Sequence, residues 1–365
     1  MKISGKTSVG IYLDSTASAV DVSLMKTDGL DILSEPVSLS RPYPGELREQ
    51  ILSLKYPDDY TDTPHFKCLS QNITQICIEA VQDLLTQHPD SGNLVDVIGF
   101  SGQNVHQKRQ ENLVVTLGDA DKLSNTFHCP VIDRFIRSDL KAGGTGGPLF
   151  PSFLEARTRV LEKPLGVILL RGITTMTAIG SVGELQSFDV GIGVLLLDRW
   201  MYTRTNLEMD YDGQFAARGK INERLLIRLL KHPFLSQTPP KTVSIEDFND
   251  LWEQLQGLSS ADGAATITAF IAKSIKKAQD FLKIKPTQWI LAGGGSYNPT
   301  LVRAIKNELT YPVHLADEYG WDKSTFGAQG YAFLAVRTLM GLPILFPETT
   351  GVPFAMPAGL IHYPK

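Results

Sequence analysis

Apolar and polar residues alternate near the start of the chain: Val9, Ile11 and Leu13, then Val20, Val22 and Leu24. A period of two marks strands with one buried face. The stretch Asp14-Ser15-Thr16-Ala17-Ser18 separates the two runs, so residues 8–25 are expected to form a β-hairpin that turns there. The period then becomes helical. Ile73, Cys77, Ala80, Val81 and Leu84 share one helical face, and the pattern stops at His88-Pro89. Short apolar runs predict buried strands at 95–100, 166–170, 176–179, near Phe188 and at 289–292. Helices are expected at 193–202, 261–282, 301–309 and 327–340, the last closed by Gly341-Leu342-Pro343. Each half opens on a strand-turn-strand unit and continues as alternating strands and helices. That order predicts an α/β architecture with helices packed on sheets.

A chain of 365 residues exceeds one ordinary core, which points to two domains or one large one. Hydrophobic residues make up 42% and charged residues 20%, a globular composition. With 35 basic and 39 acidic residues the net charge is −4, so no basic excess is available for a phosphate backbone and nucleic acid is not an expected partner. Cys68, Cys77 and Cys129 form no C-x-x-C, so reduced thiols are expected rather than a zinc site or a disulfide framework. His106, His128 and His314 lack metal-ligand spacing, and no metal-ligating residues are assigned. Residues 1–9 lack the apolar core of a signal peptide, and no apolar run reaches the ~18 residues of a membrane span. The expectation is a soluble cytoplasmic protein with no membrane partner.

Candidate chemistry lies in three places. Residues 142–149 read AGGTGGPL, a loop built for close backbone approach and the expected boundary between domains. Gly293-Gly294-Gly295 follows a strand and precedes a helix, where backbone N–H groups and the helix dipole favour an anion. A plain tight turn fits the same residues. Neither G-x-x-x-x-G-K-[ST] nor G-x-G-x-x-G after a first strand is present, which removes the Walker and dinucleotide readings. Asp189 stands at a strand end before Gly191-Ile192-Gly193. A carboxylate there can take a proton from a hydroxyl or a water, or it can cap the next helix or satisfy the turn. The proline-rich residues 237–241 (QTPPK) read as an exposed loop, and Trp200 and Trp252 as packing residues.

Several longer segments carry a resemblance: DVIGFSGQNV at 96–105, DLKAGGTGGPL at 139–149, FDVGIG at 188–193, DYDGQFAARGKI at 210–221, PPK at 239–241, SADGAATITAF at 260–270, GGGSYNP at 293–299 and FPETTGVP at 346–353. In this order and spacing the chain resembles the anhydro-N-acetylmuramic acid kinase family over essentially its whole length, and its C-terminal half is most similar to the alphaproteobacterial versions. The resemblance implies a two-domain, actin-like fold of the sugar-kinase and hsp70 type (ribonuclease H-like) with an interdomain cleft. Residues 1–141 plus about 341–365 would form one domain and 142–340 the other. It implies ATP and Mg²⁺, a 1,6-anhydro amino sugar phosphorylated at O6 as water opens the ring, a place in cell-wall recycling, and a homodimer. Asp189 would be the general base. The nucleotide would meet Asp14, Ser15, Thr16, Ser18 and Asp21 of the hairpin, Gly191 and Gly193, and Gly293, Gly294 and Gly295. The sugar would meet Gln103, Asp139, Gly143, Gly144 and Pro148.

The sequence departs from the family pattern at ligand positions. The hairpin turn G-T-S-x-D-G begins here with Asp14 and carries Ser18 in place of its carboxylate, a negative charge for a glycine beside a polyanion. Ser101 replaces a histidine, Arg134-Phe135-Ile136 stands for D-F-R, and Leu169-Leu170-Arg171-Gly172 for N-x-G-G. Gly191-Ile192-Gly193-Val194 stands for G-P-G-N, and Gly327 for a glutamate. Two readings follow: an ATP-dependent sugar kinase, or a catalytically impaired member that keeps the fold for binding or scaffolding.

Overall fold

The first hairpin forms in the register its alternation asks for. In the computed structural model, which describes residues 5–14, 17–54, 63–89, 95–108, 111–322 and 324–365, strand Lys6–Leu13 runs antiparallel to Ala19–Thr27, with Val9 opposite Leu24 and Leu13 opposite Val20. The chain divides into two units, Met1–Arg159 with Thr325–Lys365, and Val160–Ser324.

The first unit is built on a six-stranded sheet in the order Leu360–His362, Val131–Asp133, Val97–Phe100, Lys6–Leu13, Ala19–Thr27, Val37–Pro42. Val9, Ile11, Val20 and Val22 bury one face together with Ile73, Cys77, Val81 and Leu84 of helix Pro64–Gln87. That helix starts earlier than its apolar face suggests. Thr63 accepts the Phe66 N–H at 3.2 Å and Pro64 opens the first turn, so capping sets the start. The other face of the sheet takes helix Phe326–Leu339, where the Ser8 hydroxyl donates to the Ala332 carbonyl at 2.7 Å. Phe150 packs edge to face on Tyr331 of this helix, and Phe153 edge to face on its Phe326. At the sheet's end His362 contacts both Asp121 and Asp133 at 3.0 Å, which pins the last strand.

The second unit has a five-stranded sheet in the order Leu185–Ile192, Ile173–Ile179, Leu165–Leu170, Trp289–Ala292, Val313–Leu315. The first three form an antiparallel meander, and the last three run parallel. Phe188, Val190 and Ile192 face a core that holds Trp200, Phe248 and Phe270. Helix Ser260–Ala278 crosses that core, capped by Ser259, whose hydroxyl accepts the Asp262 N–H at 3.1 Å. Trp200 is fully buried, donates to the Ser260 carbonyl at 2.8 Å and meets Trp252 edge to face, so both tryptophans are packing residues.

The expected domain cuts at 141/142 and 340/341 fall inside the first unit. The glycine loop is bonded within that unit, with Thr145 N–H donating to the Thr350 carbonyl at 2.8 Å, and helix Phe326–Leu339 lies on its sheet. The loop at 142–149 is therefore internal and not a boundary. Among the described residues no helix is long and apolar enough to cross a membrane. Cys68 is exposed, Cys77 and Cys129 are buried, and burial pushes the Cys129 thiol up to about 12.

Candidate active site

The second unit's sheet brings the ends of four strands to one edge. Leu165–Leu170, Trp289–Ala292 and Val313–Leu315 are parallel, and Leu185–Ile192 points the same way through two antiparallel pairings. Ligands of α/β sheets bind outside such carboxyl ends. Asp189 lies on the edge strand Leu185–Ile192, where the pairing slips between Asp189 and Gly191 as a β-bulge. Its side chain points away from the Phe188–Val190 core, onto a face that also carries Thr175, Thr177 and Ser187. The carboxylate is buried. One oxygen accepts the Thr175 hydroxyl at 2.9 Å and the other the Val243 N–H at 2.9 Å. The Asp189 N–H in turn donates to the Lys241 carbonyl at 3.0 Å. Asp189 is thus held by the neighbouring strand and by segment 241–243. It caps no helix: helix Val194–Thr205 starts at Gly193 without a side-chain cap.

The glycines expected at this end do come together. Gly193 and Val194 N–H groups donate to the Gly172 and Arg171 carbonyls at 2.8 and 3.0 Å. A Cβ on Gly193 would lie 2.6 Å from the Thr174 hydroxyl oxygen, and one on Gly295 2.7 Å from Val194. Gly293 has φ +88, the left-handed region, and a Cβ there would lie 2.7 Å from the Leu170 carbonyl oxygen. Its own carbonyl accepts the Ser296 hydroxyl at 2.6 Å. Gly294 faces open space, with nothing within 4 Å of where its Cβ would stand. The turn leads into helix Pro299–Glu308, whose Asn298 cap accepts the Leu301 N–H at 2.9 Å. A bare backbone with room above it, at the strand ends and ahead of a helix, fits a phosphate-bearing ligand. Gly191 lies 3.3 Å, by its would-be Cβ, from Leu235, on the packed side.

The first unit carries the other predicted residues. Ser15 and Thr16 lie outside the described residues. Asp14 accepts from the Ser18 N–H and hydroxyl at 3.4 Å, so the carboxylate in the glycine's place turns onto its own loop. Asp21 accepts the Ser40 hydroxyl at 2.7 Å on the paired strand. Gln103 is buried: its amide donates to the Asp14 carbonyl at 2.7 Å and its oxygen accepts the Tyr43 hydroxyl at 3.0 Å. Ser101, in the histidine's place, accepts the Leu13 N–H at 3.0 Å. These two side chains hold the hairpin turn from below.

Asp139 is wholly buried and organises the glycine loop. Its carboxylate accepts the Gly146 N–H at 2.6 Å and its carbonyl the Gly144 N–H at 2.9 Å. A Cβ on Gly144 would collide with that carboxylate, while one on Gly143 would meet nothing. Burial holds the Asp139 carboxyl above the usual carboxylate range, against hydrogen bonds from Thr350 and Gly146 that pull it down. Pro148 follows Gly147 through a cis peptide bond. Of the residues assigned to the sugar, Gln103 and Asp139 are therefore engaged inside the fold, and the loop backbone around Gly143 is what stays open. Asp139→Ala is expected to cost about 2–4 kcal/mol, because it leaves a buried N–H without its acceptor and opens a cavity. A urea midpoint and faster amide exchange at Gly146 would report it; an unchanged midpoint would remove this role.

The sequence alone missed the residues that hold Asp189. Nothing in the sequence pattern sets Thr175 apart from its neighbours. Segment 237–241 is exposed only as far as Pro240, and Lys241 then turns inward and is buried. Its ammonium donates to the Phe234 carbonyl at 3.0 Å and lies 4.7 and 4.8 Å from the ring centres of Phe234 and Phe281. Among the described residues no cluster of three or more His, Cys, Asp or Glu could hold a metal ion.

Comparison with known proteins gives one answer. The model of the anhydro-N-acetylmuramic acid kinase family matches residues 6–364. An anhydro-N-acetylmuramic acid kinase of Methylobacterium nodulans is 35% identical, over 98% of this chain and 99% of its own. One of Rhodopseudomonas palustris is 36% identical over the same shares. Among solved structures, an activator of 2-hydroxyisocaproyl-CoA dehydratase from Clostridium difficile with bound ADPNP aligns at 13% identity and a TM-score of 0.45, over 90% of this chain and 94% of that one. With a match across nearly every residue and relatives above a third identical, the chain belongs to the anhydro-N-acetylmuramic acid kinase family.

Proposed function

We propose that this chain phosphorylates a 1,6-anhydro amino sugar at O6 with ATP while water opens the anhydro ring, in the recycling of peptidoglycan, as a cytoplasmic homodimer. One observation carries the reading: the buried Asp189 carboxylate at the carboxyl edge of the sheet, fixed by Thr175 and Val243. An ionised carboxylate has about four lone-pair sites. The Thr175 hydroxyl and the Val243 N–H each bond one oxygen, and a carboxylate so oriented can take the proton of a water. Fixing both oxygens removes the freedom that would otherwise be lost at the moment of reaction. Asp189 then acts as general base on the water that adds to the anomeric carbon. ATP, when bound, supplies the phosphoryl group, and Mg²⁺ neutralises its charge. The turn Gly293–Gly295 and the open backbone of Gly294 suit the nucleotide's phosphates, and the loop around Gly143 suits the sugar.

A second reading, a family member that has lost turnover, draws on Asp14 in the hairpin turn and on the Gly193 and Val194 N–H groups, which are spent on the Arg171–Gly172 carbonyls. A thermal-shift titration with ATP and Mg²⁺, followed by ADP release with and without the anhydro sugar, separates the two. A ligand that binds only the native state raises the midpoint, by about 2.7 kcal/mol of stabilisation at a hundredfold excess over its dissociation constant. The expected result is a rise in the midpoint together with sugar-dependent ADP release. A rise without release would support the second reading, and no rise at millimolar nucleotide would overturn the first.

A further inference from the structure

Lysine is almost never fully buried without a charged partner, because desolvation disfavours its charged form. Lys241 is buried, and among the described residues its ammonium makes a single hydrogen bond, to the Phe234 carbonyl, although it carries three donors. Three aromatic rings lie around it: Phe234 and Phe281 close by, and Phe188 at 5.9 Å. Cation–π contact offsets part of the desolvation. A methionine would fill the same space, favour the same rings and bury no charge. Packing alone therefore does not account for a lysine here.

The charges that reach it are two. Lys277, on helix Ser260–Ala278, repels it, and Asp189 attracts it. The main chain makes the second link direct. The Lys241 carbonyl accepts the Asp189 N–H, and two residues on, the Val243 N–H donates to the Asp189 carboxylate. One short segment thus grips Asp189 by backbone and by side chain, and the buried ammonium anchors that segment to residues 234 and 281.

We propose that Lys241 is a positioning residue for Asp189: its caged ammonium fixes segment 241–243 against the edge strand and so holds the Val243 N–H on the Asp189 carboxylate. The functional part of this rests on Asp189 being the base; the grip on its carboxylate does not. Burial first, then Lys277, pulls the Lys241 ammonium down to about 8, with Asp189 opposing. A base whose folded value is lowered binds fewer protons folded than unfolded. Its penalty on stability is full below about 8 and fades as pH rises towards the ordinary lysine value of 10.5.

Lys241→Met is the test, read in three ways on the full chain. The Asp189 carboxyl, followed by ¹³C NMR with aspartate labelling and Asp189→Asn as the assignment control, is expected to titrate at higher pH in the variant. The thermal midpoint at pH 7 is expected to rise, with the gain over wild type shrinking towards pH 10.5. Turnover is expected to fall at least tenfold with KM little changed, and Lys241→Arg is expected to recover part of it and to lose any alkaline limb near pH 8. A carboxyl that titrates identically in Lys241→Met and wild type would overturn the proposal, as would a variant that is destabilised at pH 7 with an unmoved titration. If Asp189→Asn itself turns over normally while the NMR shift on Lys241→Met persists, the base assignment fails and the positional link stands.

Discussion

Asp189→Asn is expected to leave the second unit folded and to lower turnover by 10²–10⁴-fold or more, the range a positioned general base supplies. The folded state tolerates the change for a geometric reason. The two side chains have the same shape, and the partners of Asp189 include one N–H and one hydroxyl. An amide oxygen still accepts the Val243 N–H. The Thr175 hydroxyl, a donor towards the carboxylate, can rotate to accept from the new amide N–H. The thermal midpoint and the nucleotide-induced shift should therefore stay near wild type, while ADP release in the presence of anhydro sugar falls to background. An amide cannot take the proton that a water must lose. A variant that turns over like the wild type would remove Asp189 from the reaction. A variant that fails to fold would leave Thr175→Val as the arbiter, since it frees one carboxylate oxygen without removing the base; a modest loss, within about tenfold, is expected there.

The two strongest periodicities in the sequence each became an element. The alternation of Val9, Ile11 and Leu13 gave a strand, and the face of Ile73, Cys77 and Leu84 a helix, because each stripe has a core to cover. The strand at Trp289–Ala292 and the helices Pro299–Glu308 and Phe326–Leu339 lie within a residue or two of their expected bounds. What stayed hidden is short or held by tertiary partners. Strands Val131–Asp133 and Leu360–His362 have three residues each, too few for a period, and exist because they pair with each other at the edge of a sheet. The hairpin Gln103–Lys108 with Leu113–Leu117 carries mixed polar residues that no alternation marks. The candidate site was half legible. A lone aspartate before glycines at a strand end could be named from the sequence, and so could the glycine turn. The grip on that aspartate could not, since Thr175 and Val243 come from 14 and 54 residues away along the chain. Gln103 and Asp139 were legible as polar residues beside glycines, but whether such a side chain faces a ligand or its own loop is decided by packing that sequence does not display.

Gly10→Val is expected to abolish folding of the first unit, and Gly10→Ala to cost about 3 kcal/mol or more, at the upper end of what overpacking does. Gly10 sits mid-strand, where a side chain would ordinarily be favoured. The reason for its absence is the helix that lies on it. A Cβ at position 10 would fall on the Ala328 carbonyl oxygen and within 2.5 Å of the Ala332 nitrogen; one at Gly99, on the paired strand, would come within 2.7 Å of the Tyr331 carbonyl carbon. These neighbours are backbone, so no rotamer change relieves the collision; helix Phe326–Leu339 must lift off the sheet. Lifting it uncovers Ala328, Ala332, Phe333 and Val336, all buried, and breaks the Ser8 to Ala332 hydrogen bond. Phe333 and Val336 are worth about 1.5–3 kcal/mol each when fully buried, which is a large share of a domain's total stability of about 5–15 kcal/mol. Gly45 supplies the control. It opens helix Gly45–Ser53 with nothing within 4 Å of a Cβ, so Gly45→Ala should leave stability unchanged or raise it by up to about 1 kcal/mol through helix propensity. Urea midpoints of the three variants, with near-ultraviolet circular dichroism for the Tyr331 and Phe cluster, test the ranking. A Gly10→Ala protein as stable as Gly45→Ala would mean that the helix does not lie on this sheet at the distance described.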